Sequence, residues 1–375
     1  MKVIIFTAYP WLNISTPLIE TIHYFLRHGW DVVHFGIIHS GVDKHGHKNI
    51  EIENENYRFI PLGTIQKNRS NIKKTISSFF FYFKYWKLSQ NAKVMISFDP
   101  GSLFLGFAWL LLSKCKNKIY HSLEISNHTT RTFLLEKFVS SFTNILVTQD
   151  KTRGRILRVL LNYRKQIAAV PNSTSGNPLK TRLKFFHETL KIPQDKKILL
   201  MTGTIDKFTG SDSFLSLLPY LPNDWVLVIH GWVPSEKTKA KILSSRDQYS
   251  ERLYISSALV ENKDKFDIFL SIDACFVYFR PDDLNLKYAL FSAGKLFDAA
   301  RTGVPVLINQ IPGAKSLIFN YPWAHLLKGP ESISEVLRKI SQESSQPNSF
   351  EFYQNNEFSM NYERFLNQYC DLNSK

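Results

Sequence analysis

The stretch from Asn285 to Ile308, NLKYALFSAGKLFDAARTGVPVLI, holds the side chains best suited to seize an anion. Ser292, Ala293 and Gly294 open a predicted helix, and Lys295 lies in its first turn. Backbone N–H groups at a helix start lack partners inside the helix, and the helix dipole draws negative charge there. Gly294 lets a ligand approach the backbone closely. Lys295 adds a full charge suited to a phosphate. Asp298 follows one turn later on the same side, where a carboxylate can accept hydrogen bonds from paired sugar hydroxyls. Thr302 and Gly303 then end the helix before strand Val304–Ile308. Arg280, after the strand Phe276–Phe279, is a further cation for phosphates.

A second group of residues could move protons. Glu124 and His121 stand three apart at the end of a predicted strand, and either could assist proton removal from an acceptor hydroxyl. The competing reading is a strand-end pair held by structural hydrogen bonds. Asp99, before Pro100-Gly101, ends another strand; it would bind the acceptor or cap the loop. The three cysteines, Cys115, Cys275 and Cys370, make no zinc pattern, and Asp282-Asp283 is a poor metal cluster, so no metal site is expected.

These residues need a scaffold that gathers strand ends. The first half alternates strands (Val3–Phe6, Asp31–Gly36, Val94–Phe98, Lys118–Leu123, Ile145–Thr148) with helices (Pro17–His28, Leu103–Cys115, Lys151–Leu161), and 40–56 reads as a loop with a short hairpin. Such alternation implies a parallel sheet with helices on both faces. VPNSTSGNPL, from Val170, reads as linker, after which the pattern restarts. Strands follow at Ile198–Thr202, Trp225–His230, Leu253–Ile255, Ala274–Val277 and Val304–Ile308, with helices at Lys263–Leu270 and Gly294–Arg301. The expected class is α/β: two Rossmann-like domains facing across a cleft, 1–172 for the acceptor and 197–355 for a nucleotide-sugar. A linker over 173–196 is expected to join them, and a helix within 356–375 to cross back to the first. Ligands of open α/β sheets bind beyond the carboxyl ends of the strands.

The donor stretch resembles that of the family-4-like glycosyltransferases of GT-B fold, whose pattern is close to S-P-x-K-x-F-E-Y-x-A-x-G-x-P-V. Ser292, Lys295, Phe297, Asp298, Ala300, Gly303, Pro305 and Val306 match or nearly match. The resemblance implies that Asp298 holds the ribose and that Ser292, Ala293, Gly294 and Lys295 hold the diphosphate. Leu199–Gly203 with Thr204-Ile205-Asp206 resembles the first strand and loop of the donor domain. YHSLEI, from Tyr120, and Gln149-Asp150 with Arg153 resemble first-domain segments. The chain departs from the pattern at Leu290, where relatives carry an acid, and at Thr204 and Thr209-Gly210, where they carry phosphate-binding cations; Lys207 or Arg280 would substitute. Ala8–Thr16 lacks the usual glycines. The resemblance implies transfer of a hexose-type sugar from a UDP-, GDP- or dTDP-linked donor, retaining, metal-independent and without a resident cofactor. The alternative is a catalytically inactive scaffold or partner subunit.

The 375 residues suffice for two domains, and 44% hydrophobic with 21% charged residues is globular composition. Sparse cysteines fit a reducing compartment. No secretory signal or membrane-spanning run is visible. Of the net charge of +15, +13 falls in residues 1–172, which points to a polyanion partner. No nucleic-acid-binding signature accompanies it. Lys67–Lys93 mixes seven basic residues with Phe79, Phe80, Phe81, Tyr82, Phe83, Tyr85 and Trp86. It would either lie in a membrane interface or pack its aromatics on the sheet. The expected place is cytoplasmic, peripheral at the membrane's inner face, with a lipid-linked or saccharide acceptor.

Overall fold

The computed structural model describes residues 1–8, 15–38, 52–64, 71–256, 260, 264–342 and 346–372. The chain forms two compact units, 1–175 with 358–375 and 176–357. Each is built on one parallel sheet.

The first sheet contains β1 (Lys2–Thr7), β2 (Asp31–Ile38), β3 (Tyr57–Thr64), β4 (Val94–Phe98), β5 (Asn117–His121), β6 (Ile145–Thr148) and β7 (Gln166–Ala169), in the order β3-β2-β1-β4-β5-β6-β7. All six neighbouring pairs are parallel. Covered on both faces, β1 and β4 read as continuous apolar runs, VIIF and VMISF. Edge strand β3 instead alternates and carries Pro61, which an interior strand could not accommodate. The order reverses between β1 and β4, so this is the sheet's topological switch point.

The second sheet contains β8 (Lys197–Thr204), β9 (Trp225–Trp232), β10 (Leu253–Ser256), β11 (Ala274–Val277), β12 (Val306–Ile308) and β13 (Ala324–Leu326), in the order β10-β9-β8-β11-β12-β13. Its switch point lies between β8 and β11.

Several sequence-based boundaries differ. The helix expected over Leu103–Cys115 is two helices, Asp99–Leu105 and Phe107–Leu112. They break at Gly106, where an added Cβ would sit 3.1 Å from the ring of Phe6. Strand β5 ends at His121 rather than Leu123, because Leu123 gives its N–H to Asp99 Oδ1 at 2.8 Å. Residues 176–196 of the expected linker belong to the second unit: Phe186, in the helix Phe185–Thr189, and Ile192 lie in that unit's core. The hairpin expected over 40–56 falls mostly on residues outside those described, as does Lys263 at the start of an expected helix; the helix there runs Lys265–Phe269. Strands β3, β7 and β13 were not anticipated.

The helix Phe358–Tyr369 completes the core of the first unit. Tyr362 packs edge-on against Tyr24 at 4.9 Å and Phe25 at 5.8 Å. Beyond it, the Asn117 side-chain amide donates to Asp371 O at 3.2 Å and accepts the Asp371 N–H at 3.1 Å.

Candidate active site

The second domain gathers most of the expected donor residues around its switch point. Strand β8 ends in Gly203 and Thr204, and Gly203 is left-handed at φ +93°. Its neighbour Gly231, at φ +146°, lies so close that an added Cβ would stand 2.1 Å from Gly203 O. The two glycines thus let β8 and β9 touch and leave a side-chain-free backbone edge there.

Beyond β8, Asp206 caps the short turn Lys207–Thr209: its carboxylate accepts the Lys207 N–H at 2.6 Å, while Thr209 Oγ1 accepts the Asp206 N–H at 2.9 Å. Lys207 itself is exposed. Phe208 O accepts the Arg280 N–H at 2.9 Å, which ties this turn to the chain leaving β11. The Arg280 guanidinium pairs with Asp282 at 3.2 Å. Gly210, left-handed, presses on Tyr278; a Cβ would fall 2.5 Å from its ring.

The helix Gly294–Arg301 begins at Ala293 with no side-chain cap. The Ser292 hydroxyl donates backward to Ala289 O at 2.9 Å. Lys295 reaches across to the end of β8, donating to Thr202 O at 3.2 Å, with its ammonium 5.5 Å from the ring centre of Phe279. Burial lowers its pKa below the ordinary lysine value, so an anion arriving beside it would favour its charged form.

Asp298 takes a different partner. It is buried, and Lys265, from the helix Lys265–Phe269, pairs with it at 2.9 Å and 3.2 Å to its two oxygens. The carboxylate expected to await sugar hydroxyls is therefore already engaged. Lys265 is a residue that sequence reasoning missed, since nothing in the spacing links positions 33 residues apart.

The proton-handling residues lie in the first domain, at the carboxyl ends of β4 and β5. Asp99 is left-handed at φ +62° and aims its carboxylate at the loop after β5, accepting the Leu123 N–H at 2.8 Å. Burial, with help from the charge of Glu124, raises its pKa to about 7, against the opposing pull of the Leu123 hydrogen bond. Glu124 is exposed beside it.

His121 requires a correction. It is 1% exposed and lies against Phe98, ring centres 4.8 Å apart. Burial drives its pKa down to about 3, so it is neutral in the fold and out of reach of an external hydroxyl. The sequence placed it at the strand end but could not show which face of the sheet it takes.

Three further side chains brace the end of β5 and the loop after it. Glu136, fully buried in the helix Arg131–Ser140, accepts the Tyr120 hydroxyl proton at 2.7 Å, and burial raises its pKa. Arg153 is buried and donates to Leu123 O at 3.0 Å, while Gln149 donates to Ser122 O at 2.8 Å. Asp99, Arg153 and Gln149 thus hold the backbone from Ser122 to Leu123, and Glu124 is presented by that frame. Among the described residues no cluster of metal-ligating side chains is found.

No known protein family matches the chain, and no curated protein matches it. Solved structures do. Over 98% of this chain and 99% of the other, the fold resembles a sucrose-phosphate synthase from Thermosynechococcus elongatus, at TM-score 0.72 and 14% identity. A trehalose-6-phosphate protein from E. coli, bound with UDP-2-fluoro glucose, matches at TM-score 0.70 and 11% identity, over 98% of each chain. WaaG, a glycosyltransferase involved in lipopolysaccharide biosynthesis, matches at TM-score 0.65 and 11% identity, over 99% of this chain and 100% of that one. At such identities the likeness is one of fold: two parallel-sheet α/β domains, the GT-B arrangement.

Proposed function

We propose that this GT-B-fold chain is a glycosyltransferase that moves a hexose-type sugar from a nucleotide-diphosphate sugar to a lipid-linked or polysaccharide acceptor. The observation that carries the reading is the meeting, at the β8/β11 switch point, of a side-chain-free backbone edge, an uncapped helix start and the ammonium of Lys295. That combination suits a diphosphate. Negative charge grows on a diphosphate as the sugar departs, and donors fixed beforehand stabilise it without reorganising. The E. coli structure bound with a UDP-sugar has this fold, which supports a UDP-, GDP- or dTDP-linked donor for this chain as well.

Several finer points belong to the same reading. Transfer proceeds with retention and needs neither a metal nor a resident cofactor. Asp298 turns to the ribose when the donor arrives, exchanging or sharing Lys265. Arg280 and Lys207 supply the outer cations, and Ser292 to Gly294 the backbone donors. On the first domain Asp99 and Glu124 receive the acceptor hydroxyl. Asp99, with its pKa near 7, is suited to take up the proton. The enzyme works at the inner face of the cell membrane, to which the basic first domain is drawn, and has no nucleic-acid partner.

The test is calorimetry with a panel of UDP-, GDP- and dTDP-sugars. One of them is expected to bind, and Lys295→Ala to weaken it by about tenfold or more, the share of one charge-assisted contact. Unchanged affinity in Lys295→Ala would remove the assignment of this seat. Binding without turnover on any acceptor would instead favour the inactive-scaffold reading, to which the acid missing at Leu290 lends weight.

A further inference from the structure

The helix Asn71–Ser89 carries apolar side chains on two faces, and only one of them is covered. Inward, Phe81, Tyr82, Tyr85 and Leu88 pack on the first domain's core, with Tyr82 edge-on to Trp109 at 5.5 Å. The buried Ser78 hydroxyl accepts the Ala108 N–H at 3.1 Å and pins the helix to its neighbour. Outward, Ile72, Ile76, Phe80, Phe83 and Trp86 recur every third or fourth residue, with exposures of 64, 67, 68, 67 and 43%. That spacing lines one face of a helix.

The apolar surface continues beyond this helix. Asn71 donates to Thr132 Oγ1 at 3.3 Å, bringing the starts of Asn71–Ser89 and Arg131–Ser140 together. Phe107 bridges the two helices, 5.9 Å from Phe79 and 6.1 Å from Phe138. On the second helix Leu134 and Phe138, one turn apart, are 66% and 56% exposed. Contiguous apolar surface of this kind marks a docking site.

Its rim is cationic. Lys73, Lys84 and Lys87 are exposed on the outward arc of the first helix, which contains no acidic residue. What covers this face must therefore be apolar and anionic together. A bilayer with anionic headgroups satisfies both demands: hydrocarbon for the phenylalanines, phosphates for the lysines. The charge excess of the first 172 residues, +13 of +15, acts in the same direction. Among the described residues no helix is long and apolar enough to cross a membrane, so the contact is one of lying in the interface.

We infer that the face formed by Asn71–Ser89 and Arg131–Ser140 docks on an anionic lipid bilayer, with Asn71–Ser89 lying in the plane of the interface. The topology adds an orientation. The first helix follows the carboxyl end of β3 and returns to the start of β4, so its Asn71 end lies at the sheet edge that carries Asp99 and Glu124. An acceptor anchored in the bilayer is thereby offered to that edge. This last step rests on the transferase reading; the docking does not.

Flotation with phosphatidylcholine vesicles, with and without phosphatidylglycerol, tests the inference. The protein is expected to float with the anionic vesicles, and part of that binding should survive high salt. Phe80→Asp with Phe83→Asp should reduce partition by about tenfold or more, since both rings lose their apolar burial. Lys73→Gln, Lys84→Gln and Lys87→Gln together should remove only the preference for phosphatidylglycerol. All five positions are exposed, and an unchanged melting temperature checks that each variant folds. Nucleotide-sugar calorimetry on the double aspartate variant should match the parent, which separates loss of docking from loss of the donor seat. Failure of the parent to float, or full binding by the double aspartate variant, would overturn the inference. So would light scattering that shows a parent dimer split by those substitutions without any vesicle binding, which assigns the face to a second copy.

Discussion

Asp99 concentrates several demands on one residue. A left-handed backbone is uncommon outside glycine but tolerated by Asp and Asn, so the position selects a short polar side chain. Its carboxylate then holds Leu123 and faces Glu124, and burial leaves it titrating about pH 7. Asp99→Asn keeps the backbone and the size but cannot exchange the proton. In a pH–rate profile of the transferase, the rise in turnover through pH 7 should be present in the parent and absent from Asp99→Asn, with donor affinity unchanged. His121→Phe should leave the profile intact, because that ring is buried against Phe98 and stays neutral. Of these residues the sequence showed what chemistry was present and roughly where each strand would end. It was silent on Glu136 and Lys265, and it marked Arg153 only as part of a resembling segment, because the partners of all three are distant in the chain and meet only through tertiary packing. Lys265 is the clearest instance: the helix carrying Asp298 was read correctly, but the cation that occupies its carboxylate comes from another helix.

At the level of elements, close approach of backbones governs the donor end of the second sheet. Gly231 has both a positive φ and no room for a Cβ against Gly203 O. Gly231→Ala must therefore part β8 from β9 or unwind the end of the ladder, and is expected to lower stability by about 2 kcal/mol or more, read by denaturant unfolding. An exposed substitution such as Lys207→Ala should fall within about 0.5 kcal/mol on the same measurement. The strands themselves were legible where both faces are buried, since β1, β4, β8 and β9 are short continuous apolar runs. Edge strands β3, β7 and β13 were not: four of the eight residues of β3 are too polar or conformationally unusual to stand out (Arg58, Pro61, Gly63 and Thr64), and β7 and β13 are only four and three residues long. The break at Gly106 was equally hidden, because it depends on the ring of Phe6 arriving from a different strand.

Across the whole molecule, acid should weaken the fold through its buried imidazoles. Burial holds His34 and His121 near pKa 3, against 6.5 for the free side chain. Unfolded chains bind those protons below about pH 6.5 and folded ones do not, so stability falls as pH drops from there towards 3. Asp99 acts in the opposite sense: folded, it keeps its proton up to about pH 7, so it favours the fold at low pH and ceases to do so as pH rises from 3.8 through 7. His230, held near pKa 4 by burial, adds to the first effect and Glu136, raised by burial, to the second; with three imidazoles against two carboxyls, the melting temperature is expected to decline between pH 6.5 and 4, and His34→Gln should flatten that decline. His34 is hydrogen-bonded to Thr7 and Tyr57, both at 2.8 Å, so the amide retains polar partners there.

The helix Phe358–Tyr369 gives the first domain a dependence on chain order. Phe358, Tyr362, Phe365 and Leu366 fill a core whose other members, Val3, Ile5, Leu18 and Ile22 among them, leave the ribosome before the second domain is made. Until translation has passed through 176–357, that core has a gap, and Tyr24 and Phe25 lack the ring of Tyr362. The first domain is begun first and closed last. A nascent chain arrested at Glu357 should be cleaved readily by protease within residues 1–175 while 176–357 resists, and supplying 358–372 should restore resistance.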